Sequence, residues 1–373
     1  MNNLYINLIN FNSEKLAGAG YFFRRIISNI DFEDVKWRKA KRIIIFSNGK
    51  IDPLLLFNFK FSAKIVVINL PFSANFLVRI CYEQVYLPFF LLRVKGVFFS
   101  PTPAVPLLCR LFNKKLTLMP TIHDMIPFKI KNKYSFWRNL YVKFLSLKSA
   151  QLGDKVLTVS QFSKDDICAI AEISTSKITV IYNFIPELKY QQINHLNSYF
   201  VTICTIEPGK NIENMLKGFH TFINSDVIYS NYKYKIIGQF GWKYNAILSM
   251  VKYLNLEDHV EFTGYLSDKE KNELLANCTG MIYLSKYEGF GIPPLEAMYF
   301  NKVSIVSDRS SLPEVVGKAG IIQDPNDFLL LAENLRKLIT ESEKYTVNIP
   351  MQLMKFEPYL QVSKFEDCII QSL

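Results

Sequence analysis

The sequence predicts an α/β protein built from two doubly wound parallel-sheet domains. Short apolar, β-branched runs alternate with segments of helical period along all 373 residues. These runs lack the polar alternation of a half-wet sheet, so they read as strands buried on both faces and joined by helices. They also form two series, parted by the polar stretch 186–198, which is rich in Gln and Asn. The length likewise suits two hydrophobic cores better than one.

In the first series the predicted strands are 4–9, 42–46, 64–70, 97–100, 116–122, 155–159 and 178–181. In the second they are 200–206, 234–238, 260–264, 281–285, 303–307 and 320–323. Each is dominated by Ile, Val, Leu, Phe or Tyr and is bounded by Gly, Pro, Asn, Asp or Lys. The expected domains are therefore 1–186 and 199–350. The amphipathic segment 351–373 stands outside the strand series and is expected to pack back on the first domain.

Six cysteines are scattered without a C-x-x-C pair or a neighbouring histidine, which argues against a disulfide framework or a zinc site. No run reaches about 18 uninterrupted apolar residues, and the start lacks a signal-peptide pattern, so a cytoplasmic protein is expected. Net charge is +11. Residues 1–200 hold 27 Lys and Arg against 12 Asp and Glu, a balance of +15, whereas the remainder balances at −4. No RNP-like string, zinc-finger spacing or long basic run accompanies this charge, so nucleic acid is not the expected partner. Between Lys129 and Lys148 the basic residues, Lys131 and Lys133 among them, alternate with Phe136, Trp137, Leu140, Tyr141 and Phe144 at helical spacing. Two readings follow: a surface helix with this face packed inward, or a face that rests on anionic lipid.

Ligands of open parallel sheets bind beyond the carboxyl ends of the strands, so those residues are the candidates for chemistry. After the first strand come Gly18, Ala19 and Gly20, small enough for backbone to approach a ligand or simply to turn. After 116–122 come His123 and Asp124, a pair suited to hydrogen-bonding, acid–base work or loop capping. His195, His220 and His259 are assigned no role. The second domain opens with Glu207-Pro208-Gly209-Lys210-Asn211, where a lysine beside a helix N-terminus makes a cradle for phosphate. The most specific string is Glu288-Gly289-Phe290-Gly291-Ile292-Pro293-Pro294-Leu295-Glu296. It places Glu288 on a loop, with a helix expected to start near Pro294 and Glu296 in its first turn. Two carboxylates so placed suit the vicinal hydroxyls of a sugar or a ribose.

That string resembles the E-x7-E motif of retaining glycosyltransferases of family 4, which have the GT-B fold of two facing Rossmann-like domains with a cleft between them. The resemblance covers nearly the whole chain. It continues through Gly18-Ala19-Gly20-Tyr21, Glu83-Gln84, Leu87-Pro88, Ser100-Pro101, His123-Asp124-Met125-Ile126-Pro127, Ser160-Gln161-Phe162-Ser163, Glu207-Pro208-Gly209-Lys210-Asn211, Gly264-Tyr265-Leu266-Ser267-Asp268 and Ser311-Leu312-Pro313-Glu314.

The resemblance implies a nucleotide-sugar donor held mainly by the second domain. Glu296 would hold the ribose and Lys210 the diphosphate. Glu288, with the backbone at Phe290 and Gly291, would meet the sugar, while Tyr265 and Leu266 border the base. His123 would face the sugar and Gly20 approach the diphosphate. No cofactor or metal ion is expected, since no D-x-D motif is present. The resemblance further implies hexosyl transfer, with GDP-mannose the favoured donor, onto a lipid-linked oligosaccharide or polysaccharide. The basic first domain would then sit on the anionic inner face of the cytoplasmic membrane. A UDP-sugar, dTDP-rhamnose or a nucleotide-sugar epimerase are the alternatives. Two departures from the pattern stand out: Gly209 replaces the usual Arg, and Asn301-Lys302-Val303 replaces the usual G-x-P.

Overall fold

The computed structural model describes residues 2–11, 16, 18–70, 76–130, 136–186 and 197–373. Most of the expected linker, together with Lys131, Lys133 and His195, lies outside the described residues. The chain divides into two units, Met1–Pro186 with Glu357–Leu373, and Glu187–Phe356.

In the first unit β1 (Asn2–Asn7), β2 (Ala40–Ser47), β3 (Ile65–Asn69), β4 (Gly96–Ser100) and β5 (Leu116–Pro120) form one sheet in the order β3-β2-β1-β4-β5. Every pairing is parallel, with Leu4 opposite Ile43 on one side and Val97 on the other. β4 is buried along its whole length, and its consecutive residues feed two different layers. Phe98 joins Tyr5, Phe46, Leu87 and Leu118 on one face. Phe99 meets Phe23 and Phe365 on the other, at 5.8 and 5.1 Å. Gly96 permits the start of this strand: its φ is 127° and an added Cβ would lie 1.9 Å from the Asn3 carbonyl oxygen.

β5 ends sooner than the apolar run suggested. After Pro120 the chain leaves the β4 ladder, and the Ile122 amide donates to the Leu157 carbonyl at 2.8 Å. This leads into the parallel pair β6 (Val156–Thr158) and β7 (Ile178–Val180). The terminal helix Pro358–Ile370 belongs to this unit. Its buried Glu366 accepts hydrogen bonds from Lys36 Nζ at 2.5 Å and Trp37 Nε1 at 3.0 Å. Residues 351–356 belong to the second unit.

The helix Phe136–Leu152 overturns the inward-facing reading of its aromatic stripe for all but Tyr141, which is half-buried and edge-on to Phe76 at 5.5 Å. It buries Leu145, Ser146, Ser149 and Ala150, whereas Phe136 is 74%, Trp137 77%, Leu140 53% and Phe144 52% exposed.

The second unit carries β8 (Tyr199–Ile203), β9 (Lys233–Ile237), β10 (Val260–Gly264), β11 (Gly280–Tyr283), β12 (Ser304–Ser307) and β13 (Ile321–Gln323), all parallel, in the order β10-β9-β8-β11-β12-β13. This is the dinucleotide-fold order, whose direction of winding reverses between β8 and β11. The helix Ile212–Ile223 covers one face through Met215, Leu216, Phe219 and Phe222, all fully buried. Burial of each such side chain contributes about 1.5–3 kcal/mol. Gly218 lets this helix meet the helix Phe328–Thr340 closely, since a Cβ there would lie 2.5 Å from Leu331 Cδ2.

Candidate functional site

The topology brings Lys210 and Glu288 together. β8 and β11 are neighbours, with Val201 opposite Met281, so the loops leaving their carboxyl ends emerge side by side at the reversal point. The loops are joined through Gly209, whose carbonyl accepts from the Lys286 amide at 3.0 Å and from Ser285 Oγ at 3.3 Å. Pro208–Lys210 form a single 3-10 turn, and Asn211, at φ 61°, redirects the chain into the helix Ile212–Ile223. The Asn211 side chain donates through Nδ2 to the Pro325 carbonyl at 2.6 Å. The N-cap Asn211 makes no side-chain cap bond to that helix, so the amide groups of its first turn can face an anion.

Lys210 Nζ lies 2.5 Å from Glu288 Oε1, which also accepts from the Tyr283 hydroxyl at 2.9 Å. Both partners are largely buried, with side-chain exposures of 19% and 13%. Burial alone would raise the Glu288 pKa, but the Lys210 charge and hydrogen bond prevail and hold it below the usual carboxylate range. Burial likewise opposes a charged Lys210, yet Glu288 keeps its pKa well above that of a free lysine. The site therefore holds a full positive and a full negative charge in contact. The Glu288 backbone is fixed as well: its amide donates to Ser310 Oγ at 3.0 Å, and the single hydroxyl hydrogen of Ser311 is shared between the Phe290 carbonyl at 2.6 Å and the Glu288 carbonyl at 3.0 Å.

Glu296 does not fall in the first turn of its helix. The helix runs Ile292–Tyr299 with Gly291 as its N-cap, so Pro293 and Pro294 fill the first turn and Glu296 begins the second. Proline fits there because amides at those positions lack intrahelical acceptors anyway. The same prolines remove two of the donors that this helix end would otherwise offer an anion. Glu296 is 9% exposed and accepts a bond from Lys271 Nζ at 2.7 Å. Lys271 belongs to the helix Asp268–Asn277, started by a capping box between Ser267 and Glu270.

Phe290 is buried and packs edge-on against Phe356 at 5.6 Å. Gly291 adopts φ 113°, where a Cβ would lie 2.6 Å from Leu312 Cδ2. Tyr265, 66% exposed, and the half-buried Leu266 occupy the turn between β10 and the capping box. Among the described residues no group of three or more His, Cys, Asp or Glu side chains converges on a common point suited to a metal ion.

In the first unit, the half-buried His123 places Nε2 2.9 Å from the Pro101 carbonyl and its ring edge-on to Phe22 at 5.2 Å. Loss of solvation lowers its pKa to about 4 despite the opposing bond to Pro101. A carbonyl only accepts, so Nε2 carries the hydrogen and Nδ1 of the neutral ring is an acceptor. Gly20 lies in the helix Gly18–Ile27, where a Cβ would sit 2.8 Å from Leu16 Cδ2. Sequence reasoning missed Lys271, Tyr283 and Ser310, and it named Ser311 within a matching string without giving it a role. The signal for Lys271 was its place just past a capping box, where a cation meets the positive end of a helix and calls for a carboxylate.

Two family models match successive stretches of the chain: Glycosyltransferase Family 4 over residues 95–187 and Glycosyl transferases group 1 over residues 187–349. Over 209 residues the chain is 34% identical to the O-antigen chain mannosyltransferase RfbU of Salmonella typhimurium, a match covering 56% of each protein. The chain thus matches little more than half the length of that relative. It is 27% identical over 270 residues to the O-antigen chain mannosyltransferase B of Escherichia coli, covering 68% of each. Among solved structures it resembles the lipopolysaccharide outer core galactosyltransferase WaaB in its apo form, with TM-score 0.68, 18% identity and full coverage of both chains. It also resembles HepE of Anabaena in complex with UDP and glucose, with TM-score 0.73, 16% identity and full coverage of both chains. Two parallel-sheet Rossmann-like domains with these neighbours define the GT-B fold. Residues 95–349 thus carry, in succession, a Glycosyltransferase Family 4 domain and a Glycosyl transferases group 1 domain.

Proposed function

We propose that the chain is a retaining hexosyltransferase that moves mannose from GDP-mannose to a lipid-linked oligosaccharide or polysaccharide, without a metal ion, at the inner face of the cytoplasmic membrane. The mannosyltransferase relatives support the sugar. The observation that carries the reading is the buried Lys210–Glu288 pair at the reversal point of the second sheet.

The chemical problem is the departure of a nucleoside diphosphate. Lys210 and the uncapped amides of the helix Ile212–Ile223 supply positive potential where that charge develops. On donor binding Lys210 exchanges Glu288 for the diphosphate, and Glu288 is released to hold the sugar hydroxyls. In the transfer step the bond between the anomeric carbon and the β-phosphate oxygen breaks, and the acceptor oxygen bonds to the same face of the sugar. The acceptor proton passes to the departing β-phosphate oxygen. Glu296 is assigned to the ribose, Tyr265 and Leu266 to the base, and the backbone of Phe290 and Gly291 to the sugar. From the first unit, Gly20 is assigned to the diphosphate and His123 to a sugar hydroxyl, accepting through Nδ1.

Thermal-shift measurements with GDP, UDP and dTDP test the donor, because a ligand at about 100 times its Kd stabilises by about 2.7 kcal/mol. GDP is expected to raise Tm most; no rise with any of the three would sink the donor reading. Transfer from GDP-mannose is expected to survive EDTA and to fall about 100-fold or more in Glu288→Gln.

A further inference from the structure

We propose that Lys271 is a positioning residue for nucleotide recognition: it holds Oε1 of Glu296 and thereby presents Oε2 to the ribose hydroxyls. This rests on the reading of Glu296 as the ribose contact and adds how its carboxylate is aimed.

A buried glutamate needs something to fix its orientation, and the helix of Glu296 does not provide it. The residue lies past the first turn, and the two prolines before it carry no amide hydrogens. Lys271 supplies the missing contact from another element, with Nζ 2.7 Å from Oε1 and only 19% of its side chain exposed. An ammonium is a single-point donor, so it can take one carboxylate oxygen and leave the other. Lys271 itself has little reason to be where it is except for Glu296. It stands near the positive end of the helix Asp268–Asn277. Its other acidic neighbour, Asp268, is 3.5 Å away with a side chain 89% exposed. Burial disfavours its charge, but Glu296 keeps its pKa above that of a free lysine.

The surroundings tie this pair to nucleotide recognition. The capping box that starts the Lys271 helix follows directly on Tyr265 and Leu266, the turn assigned to the base. Glu288 and Glu296 are thus each held by a lysine from a different element, Lys210 for the sugar end and Lys271 for the ribose end.

The test compares GDP with 2′-deoxy-GDP by calorimetric titration of the full chain. The wild type is expected to prefer GDP by about ten-fold or more, the effect of losing a hydrogen bond to a charged group. Lys271→Met should cut that preference below about three-fold through loss of GDP affinity alone. Lys271→Arg, which keeps the charge and decides the matter should the methionine variant not fold, should also narrow it, because a guanidinium engages both carboxylate oxygens. Asp268→Asn should leave the preference unchanged. An unchanged ratio in both Lys271 variants, or equal weakening of both nucleotides, overturns the positioning role and leaves a plain structural ion pair. A wild type that binds GDP and 2′-deoxy-GDP equally overturns instead the assignment of Glu296, and the inference falls with it.

Discussion

Two buried glutamates of this chain have opposite fates, and the difference lies in their neighbours. Glu288 touches an ammonium and is held ionised. Glu83 is 1% exposed and has Arg79 Nε only at 4.0 Å, with amide bonds from Asn10 at 3.0 Å and Asn7 at 3.4 Å. Burial outweighs those contacts and raises its pKa to about 7. The native state therefore binds this proton more tightly than the unfolded chain does. The associated stability is complete below the unfolded value of 4.5 and is lost as pH rises through about 7. The shift corresponds to about 3 kcal/mol. Glu83→Gln removes the ionisation, so its Tm relative to wild type is expected to rise between about pH 5 and about pH 8; parallel Tm curves for the two proteins would show that Glu83 does not titrate there. His123, with its pKa lowered to about 4, has the opposite slope, but it is common to both proteins and drops out of the difference. At this scale legibility followed motif density. Lys210 and Glu288 sit in strings specific enough to assign by reading, whereas Lys271 reaches Glu296 across 25 positions of sequence. Only the folded chain puts those two charges side by side.

Elements were legible where burial dictates composition. All the predicted strand runs appear as β1–β13. β4, β11 and β12 are buried along their whole length and must be apolar. β3 and β10, at the sheet edges, are half-exposed yet keep β-branched or aromatic residues. Ends were less legible. β5 stops at Pro120 because the chain turns aside to bridge Leu157, a tertiary event with no local signature. The helix after Glu288 starts at Ile292, earlier than the prolines suggested, because Gly291 takes up a conformation that only glycine adopts freely. Gly291 is therefore expected to be costly to change. Gly291→Ala adds backbone strain at φ 113° and a contact of 2.6 Å with Leu312 Cδ2, for a loss of about 1–3 kcal/mol. Gly264→Ala makes the matched comparison, since Gly264 at φ 71° has nothing within 4 Å of its added Cβ and suffers strain alone. Chemical denaturation should place Gly291→Ala clearly below Gly264→Ala in stability; the reverse order would mean that Leu312 moves aside without penalty. On the proposed assignment Gly291→Ala should also weaken GDP-mannose more than GDP, because the backbone it disturbs meets the sugar and leads directly to Glu288.

Charge divides by unit across the whole molecule. Met1–Pro186 with Glu357–Leu373 carries 27 Lys and Arg against 14 Asp and Glu, a balance of +13, while Glu187–Phe356 carries 17 against 19, a balance of −2. The basic unit also holds the helix whose aromatic stripe is exposed, with Phe136, Trp137, Leu140 and Phe144 beside Arg138, Lys143 and Lys148. Among the described residues no helix is long and apolar enough to cross a membrane. An exposed aromatic face among cations has the chemistry of an interfacial helix: rings enter the headgroup boundary, and each nearby cation adds about 1 kcal/mol on an anionic surface. If this face docks the chain on a membrane, two independent forces are at work and each has its own test. Raising salt from about 0.05 to about 0.5 M shortens the screening length and should release the protein from phosphatidylglycerol-containing vesicles. Phe136→Ser with Trp137→Ser keeps every charge and should lower vesicle affinity about 100-fold, from the loss of about 1.5 kcal/mol of apolar burial at each site. Transfer to a short water-soluble acceptor should remain as in the wild type. Co-sedimentation that ignores both salt and the paired substitution would remove this face, and the basic unit with it, from any role at the membrane.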